Sequence, residues 1–75
     1  MKIKEMEIGA RARLTGYTAS GRGYRQKLLA MGLIRGAEFT LVRKAPLGDP
    51  VEIKLGSFNL TLRGAESDAV EVELI

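Results

Sequence analysis

Residues 51–62 carry the pattern that most restricts how this chain can fold. Apolar residues occupy every second position on both sides of the dipeptide Gly56-Ser57: Val51, Ile53 and Leu55 before it, and Phe58, Leu60 and Leu62 after it. Glycine at the first central position suits a two-residue type II′ turn. The stretch therefore predicts an antiparallel β-hairpin whose six apolar side chains share one buried face.

Three other runs alternate in the same way and predict further strands. Their inward-facing residues are Ala12 and Leu14 in the first run, Ala37, Phe39 and Leu41 in the second, and Val70, Val72 and Leu74 in the last. Proline cannot donate a ladder hydrogen bond, so the corner from Pro46 to Pro50 should separate the second strand from the hairpin. Residues 2–8 suggest a charged lead-in, and residues 63–69 a loop or a single helical turn. We expect five strands.

One short amphipathic helix is predicted between the first two strands. Tyr24, Leu28 and Met31 have the spacing of one helical face, which Leu29 widens and which we expect to point inward. Gly32 stands where a helix needs a left-handed residue just past its end. In that motif the next residue, Leu33, closes an apolar contact with Leu28. We expect Gly36 to turn the chain into the second strand.

The size of the chain calls for an economical architecture. Seventy-five residues bury a modest share of their unfolded surface, and the sequence contains neither cysteine nor histidine. Disulfides and thiolate or imidazole metal sites are therefore excluded. A small closed or nearly closed β-barrel shares one core among all its strands. We expect a single domain over residues 1–75.

The chain resembles a known family along essentially its whole length, although its first ten residues match poorly. The run from Tyr24 to Gly32, then Gly36, and then the corner from Ala45 to Val51 resemble FeoA, the small cytoplasmic protein of bacterial ferrous iron uptake. The resemblance implies a mainly β, SH3-like five-stranded barrel with one short α-helix after the first strand. It also implies a partner, the membrane GTPase-transporter FeoB. FeoA proteins often carry proline where this chain has Arg35.

Two groups of residues are candidates for binding that partner. The first lies at the start of the helix: Arg22, Tyr24, Arg25 and Lys27. Cations near the positive end of a helix cost about 0.3–1 kcal/mol, so an anionic partner surface would suit them. Simple solvation is the alternative. Four further positions are assigned to turns, without a role in binding: Gly32, Gly36, Pro46 and Pro50.

The second group lies in the proline corner and contains Leu47, Gly48 and Asp49. An apolar side chain on a stiff exposed corner can dock into a pocket of a partner. The alternative is that Leu47 folds back over the barrel and joins its core.

Catalysis and cofactor binding are not expected. Gly16 and Gly21 have the spacing of a phosphate-binding loop, but Arg22 and Gly23 replace the lysine and the hydroxyl residue that such a loop needs. Without histidine, the carboxylates of Glu71 and Glu73 on one strand face do not make a selective ferrous site. We predict no enzyme activity, no cofactor and no metal site.

Nucleic-acid binding is the alternative function. Small barrels that bind nucleic acid interleave basic residues with stacking aromatic rings. This chain has four aromatic residues, of which at least three have core-like positions: Tyr17, Tyr24, Phe39 and Phe58. A protein partner is therefore favoured over nucleic acid. The runner-up is a free-standing SH3-like barrel that binds nucleic acid or another anionic partner and is related to the accessory domain of metal-dependent repressors.

The sequence also bears on where the protein acts. The first residues lack the apolar run of a signal peptide, and no stretch approaches the roughly 18 apolar residues of a membrane span. We therefore expect a cytoplasmic protein that does not insert into the membrane. The pattern leaves the oligomeric state open.

Overall fold

Five antiparallel strands form one sheet that contains about two-fifths of the chain. They are β1 (Arg11–Tyr17), β2 (Glu38–Lys44), β3 (Val51–Leu55), β4 (Phe58–Leu62) and β5 (Val70–Leu74). Their order across the sheet is β4-β3-β2-β1-β5. The structure is a computed structural model, which describes all 75 residues except the side chain of Ser20. The prediction of a mainly β chain with five strands is confirmed.

Short helical segments fill the connections between strands. The helix α1 (Arg25–Ala30) follows β1, as predicted, and a 3₁₀ helix over Ala19–Tyr24 leads into it. The single turn α2 (Gly64–Ser67) joins β4 to β5, and a 3₁₀ turn over Ile3–Glu5 precedes β1. None of the helices among the described residues is long and apolar enough to cross a bilayer.

The hairpin has the register that the alternation predicts. Val51 pairs with Leu62, and Leu55 pairs with Phe58 across the turn. Gly56 has φ = +63°, whereas Ser57 is not among the residues with positive φ. A positive φ at the first central residue alone is the signature of a type II′ turn.

The end of α1 is closed by the backbone bonds of a Schellman motif. Gly32 has φ = +94°. The Leu33 N–H donates to the Leu28 carbonyl and the Gly32 N–H to the Leu29 carbonyl, both at 3.0 Å. Leu28 and Leu33 are both fully buried. This cap stops α1 and aims the chain at β2.

One apolar core lies inside the curved sheet. Irregularities in register between Leu14 and Gly16, and between Leu41 and Arg43, mark the places where β1 and β2 bend. The sheet contributes most of the core, and α1 and the turn after it close it with Leu28 and Leu33.

Four residues predicted to face inward are in fact exposed. Phe58 is 52% exposed, Leu74 56%, Leu29 39% and Tyr24 37%. Phe58 and Leu74 lie at the ends of the two outermost strands, where the core no longer covers them. Consequently two aromatic residues, and not three, have core-like positions: Phe39 is buried and Tyr17 packs against the core.

The first residues of the chain are more than a charged lead-in. Ile3 and Met6 are essentially fully buried in the core, whereas Ile8 is 62% exposed. The Val72 N–H donates to the Met1 carbonyl at 2.9 Å, so this segment also covers the outer side of β5. The position of this segment depends on its contacts with β5. These contacts cannot be inferred from the sequence of residues 2–8 alone.

Candidate functional site

The proline corner presents one apolar side chain to solvent. The Gly48 N–H donates to the Ala45 carbonyl at 2.7 Å, and the Ala45 N–H donates to the Pro50 carbonyl at 3.0 Å. Gly48 has φ = +81°, a conformation that favours glycine. Leu47, between these bonds, is 96% exposed, so the alternative in which it folds back over the barrel is wrong.

Asp49 ties this corner to α2. Its Oδ1 accepts a hydrogen bond from the N–H of Gly64, the first residue of α2, at 2.8 Å. A carboxylate that accepts an N–H at the start of a helix satisfies a donor that has no partner within the helix. The carboxylate of Asp49 therefore has a structural task, and the corner is held in place through it.

Lys27 also has a partner inside the molecule. Its Nζ forms a short ion pair with Oε2 of Glu66, whose side chain is almost fully buried. The other oxygen, Oε1, accepts the Arg63 N–H at 2.9 Å. The hydrogen bond from Lys27, and next the one from the Arg63 backbone, lower the pKa of Glu66. Lys27 thus binds α1 to α2.

The remaining helix-start residues are more accessible. The guanidinium of Arg25 lies over the ring of Tyr17, 5.3 Å from its centroid. The Tyr17 hydroxyl donates to the Leu33 carbonyl at 2.5 Å, which fixes the ring under Arg25. Arg22 is exposed and, among the described residues, forms no ion pair; Tyr24 is partly exposed.

The two predicted groups therefore meet at the same helical turn. Lys27 from the helix start reaches Glu66, the third residue of α2, and Asp49 from the corner reaches Gly64, the first. The segment before α1 also touches the end of this turn, since a Cβ on Gly21 would lie 2.5 Å from Cα of Ala69. The arrangement makes α2 the support on which both groups are mounted.

Sequence reasoning missed these supporting residues. Glu66 stands three positions after Arg63, the spacing at which a glutamate reaches back to the residue before a helix, so a cap was detectable. Nothing local could show that Lys27, 39 positions earlier, is its partner. Gly21 resembled part of a loop, whereas the structure requires it for close packing on Ala69.

The sequence features considered for nucleotide or metal binding have other roles in the structure. Gly16 lies within β1 and Gly21 within a 3₁₀ helix beside an antiparallel sheet, which rules out a phosphate-binding loop. The two carboxylates on one face of β5 are in ion pairs: Glu71 with Lys2 at 2.9 Å and Glu73 with Arg13 at 3.1 Å. Over the part of the chain that is described, no three acidic side chains gather as a metal site would require.

A shallow cleft lies beside the corner. Pro50 and Thr61 belong to its floor and to that of a second, neighbouring depression. The acidic group at its edge, Glu52, accepts a hydrogen bond from Asn59 Nδ2 at 2.7 Å. The lining of the cleft combines the charged side chains of Arg43 and Glu52 with apolar side chains.

Comparison with known proteins gives a consistent result. A family profile described as "FeoA domain" matches residues 1–74. A curated relative from Porphyromonas gingivalis, the Fe(2+) transport protein A/Fe(2+) transporter FeoB fusion protein, is 37% identical over 76 residues. The alignment covers 100% of this chain but 9% of the relative, so the chain spans less than a tenth of that fusion protein.

Solved structures show the same backbone. Iron(II) transport protein A from Clostridium thermocellum has a TM-score of 0.88 and 41% identity, with 100% of this chain and 46% of that chain covered. FeoA from Stenotrophomonas maltophilia in complex with zinc, described as a procaryotic SH3 domain protein, has a TM-score of 0.80. It is 24% identical, with 97% of this chain and 89% of that one covered, and therefore informs on the fold alone.

The profile covers all but the last residue, and the P. gingivalis and C. thermocellum relatives align with the whole chain. The five-stranded sheet has the SH3-like architecture that the resemblance implied. This chain belongs to the FeoA family.

Proposed function

We propose that this chain is a non-catalytic accessory protein of ferrous iron uptake that docks on the cytoplasmic region of FeoB. The observation that carries the proposal is the P. gingivalis fusion protein, in which a FeoA portion aligned with this whole chain shares one polypeptide with FeoB. Covalent linkage keeps two modules at high effective concentration, which is useful when the modules act together. The proposal assigns the same association to separate chains.

The docking surface consists of the helix-start group and the corner. Leu47 supplies an almost wholly exposed apolar side chain, on a backbone held by Asp49 and α2. An apolar anchor with a pre-organised backbone loses little entropy on binding. Arg22 and Arg25 supply positive charge, and Tyr24 adds an exposed aromatic edge. Lys27 contributes mainly by holding α1 against α2.

Binding to the isolated cytoplasmic region of the FeoB from the same genome tests this surface. We expect Leu47→Ala to weaken the complex at least about tenfold, since a buried apolar anchor commonly contributes more than 1.4 kcal/mol. The melting temperature of the free chain should remain unchanged, because Leu47 makes no buried contact. Titration calorimetry measures the affinity, and thermal unfolding measures stability.

Matched variants separate a specific surface from general stickiness. Ile8→Ala removes another exposed apolar side chain, outside both groups, and should leave the affinity unchanged. Arg25→Glu should weaken binding, whereas Lys54→Glu, the same charge reversal on an exposed residue of β3, should not. Equal effects of Leu47→Ala and Ile8→Ala, or no binding by the unaltered chain, would contradict the proposal.

A further inference from the structure

A stretch of thirty residues, 8–37, contains six basic residues and no acidic one. Carboxylates from elsewhere in the chain form ion pairs with three of these: Arg11, Arg13 and Lys27. The other three form no ion pair with any residue that the structure describes: Arg22, Arg25 and Arg35. The surface formed by this stretch therefore carries positive charge that the molecule does not neutralise.

The geometry of α1 assigns Arg25 and Lys27 to different sides. Successive residues of a helix are about 100° apart, so Leu29 lies about 160° from Lys27 but close to Arg25, four positions earlier. Lys27 points to α2, where it meets Glu66, and Leu28 points into the core. Arg25 and Leu29 therefore share a side of α1 that lies opposite to the Lys27 side chain.

The turn after α1 lies next to this side. Arg25 stacks on Tyr17, and the hydroxyl of Tyr17 bonds to the carbonyl of Leu33 at 2.5 Å. Ile34 and Arg35 follow directly, and Nη2 of Arg35 lies 3.9 Å from the position of a Cβ built on Gly16. The guanidinium groups of Arg25 and Arg35 thus both lie at the end of β1.

Apolar side chains interrupt this basic surface. The side chain of Ile34 is 53% exposed and that of Leu29 is 39% exposed. Arg22 lies one 3₁₀ turn before Arg25, whose N–H donates to the Arg22 carbonyl, so the two side chains fall on the same side. We call the surface formed by Arg22, Arg25, Leu29, Ile34 and Arg35 the α1 flank. It combines three arginines that form no ion pair with any described residue and two exposed aliphatic side chains.

We propose that the α1 flank binds the surface of an anionic lipid bilayer. Unpaired basic residues attract acidic headgroups, and apolar side chains beside them enter the boundary between headgroups and acyl chains. Arginine suits the lipid phosphate because its planar fork donates two parallel hydrogen bonds. No pocket is needed for such a ligand, which matches the convex side of a helix and its following turn.

Three cations and two half-exposed aliphatic side chains give weak, reversible association. Such a contact suits a protein that also docks on a membrane-embedded partner, because the two contacts reinforce one another. Lipid binding is nevertheless independent of the FeoB complex proposed above. Arg22 and Arg25 are common to both surfaces, whereas Leu29, Ile34 and Arg35 belong to the α1 flank alone.

Sedimentation with vesicles tests the proposal on the whole chain. We expect binding to vesicles of phosphatidylglycerol and phosphatidylcholine in equal parts, and none to vesicles of phosphatidylcholine. Since each basic residue near an anionic surface contributes about 1 kcal/mol, Arg35→Gln should lower the partition coefficient about fivefold. Ile34→Ser should also lower it. Raising the ionic strength from 0.1 M to 1 M shortens the Debye length from about 10 Å to about 3 Å and should abolish binding.

A matched substitution distinguishes the α1 flank from the net charge of the protein. Lys54→Gln removes the same unit of charge from an exposed position on β3 and should leave the partition coefficient within about twofold of the unaltered chain. Equal losses for Lys54→Gln and Arg35→Gln would overturn the assignment, as would equal binding to both kinds of vesicle.

The FeoB complex provides the remaining distinction. Arg35→Gln and Ile34→Ser should leave the affinity for the soluble cytoplasmic region of FeoB unchanged, and Leu47→Ala should leave vesicle binding unchanged. Failure to bind vesicles, combined with loss of FeoB binding in Arg35→Gln, would assign the α1 flank to the protein partner and refute the lipid proposal.

Discussion

The corner and the helix-start group are two halves of one proposed docking surface, but they are built differently. In the corner the charged residue is used internally, because Asp49 caps α2, and the apolar Leu47 remains almost fully exposed. In the helix-start group Lys27 is used internally and Arg22 and Arg25 remain accessible. One half therefore offers an apolar contact, and the other offers positive charge.

The difference shows how a small protein can display side chains without losing rigidity. Each half uses one of its own charged groups to attach itself to α2, a turn of four residues. The charged group that contacts α2 is no longer available to bind a partner, but it holds the neighbouring side chains in a fixed position for binding. Three substitutions and one pH titration test how these segments are attached, ordered below from the largest expected loss of stability to the smallest.

Gly21→Ala tests how the segment before α1 is seated. A Cβ at this position would lie 2.5 Å from Cα and 2.7 Å from the carbonyl oxygen of Ala69, so backbone must move. We expect a loss of about 3 kcal/mol in the free energy of unfolding, at the upper end for overpacking. Chemical denaturation measures it. Gly23→Ala, which meets no atom within 4 Å, is the control and should change stability little.

Lys27→Met tests the bond between α1 and α2. The substitution leaves the buried carboxylate of Glu66 with the Arg63 amide as its remaining donor. Hydrogen bonds to charged groups contribute about 1.5–3 kcal/mol, and the exposure of the Lys27 side chain reduces this, so we expect a loss of about 1.5 kcal/mol. Arg25→Met removes an exposed cation–π contact and should cost about 0.5 kcal/mol. Equal losses would contradict the distinction between these two cations.

Acid should weaken the same attachment. The Lys27 hydrogen bond lowers the pKa of Glu66 in the folded chain below its ordinary value of 4.5. A lowered folded pKa means that this stabilisation is complete above pH 4.5 and disappears as the pH falls through the folded pKa. Unfolding curves between neutral pH and pH 3 measure the decline. Glu66→Gln should be less stable at neutral pH and should show a shallower decline below pH 4.5.

Asp49→Ala tests the attachment of the corner. Loss of a side-chain acceptor at the start of a helix costs about 1 kcal/mol, and Asp49→Asn, which keeps an acceptor oxygen, should lose less. Denaturant unfolding gives both values. Because the corner then loses its tie to Gly64, Asp49→Ala should also weaken FeoB binding in spite of an intact Leu47. Unchanged binding would show that the Leu47 contact does not depend on the tie to α2.

Much of the fold was predictable because its signals are local. The type II′ turn at Gly56-Ser57 and the glycine after α1 each depend on backbone conformations that few residues adopt, and a single glycine identifies them. Alternation identified the strands for a similar reason, since a two-residue period assigns every side chain to a face. Alternation does not show whether other parts of the molecule cover a given face of a strand. For this reason Phe58 and Leu74, at the ends of the outer strands, were predicted to be buried but are exposed.

The sequence by itself determined the chain's class, its turns, the helix with its cap, and the two groups of exposed candidates. Only the tertiary structure decided which charged candidates already have partners inside the molecule. Lys27 contacts Glu66, 39 positions away in sequence, and Asp49 contacts Gly64, 15 positions away. It also decided that Ile3 and Met6 belong to the core. The physical reason is the same in each case, because pairing and burial depend on separations in space, which the order of residues along the chain does not contain.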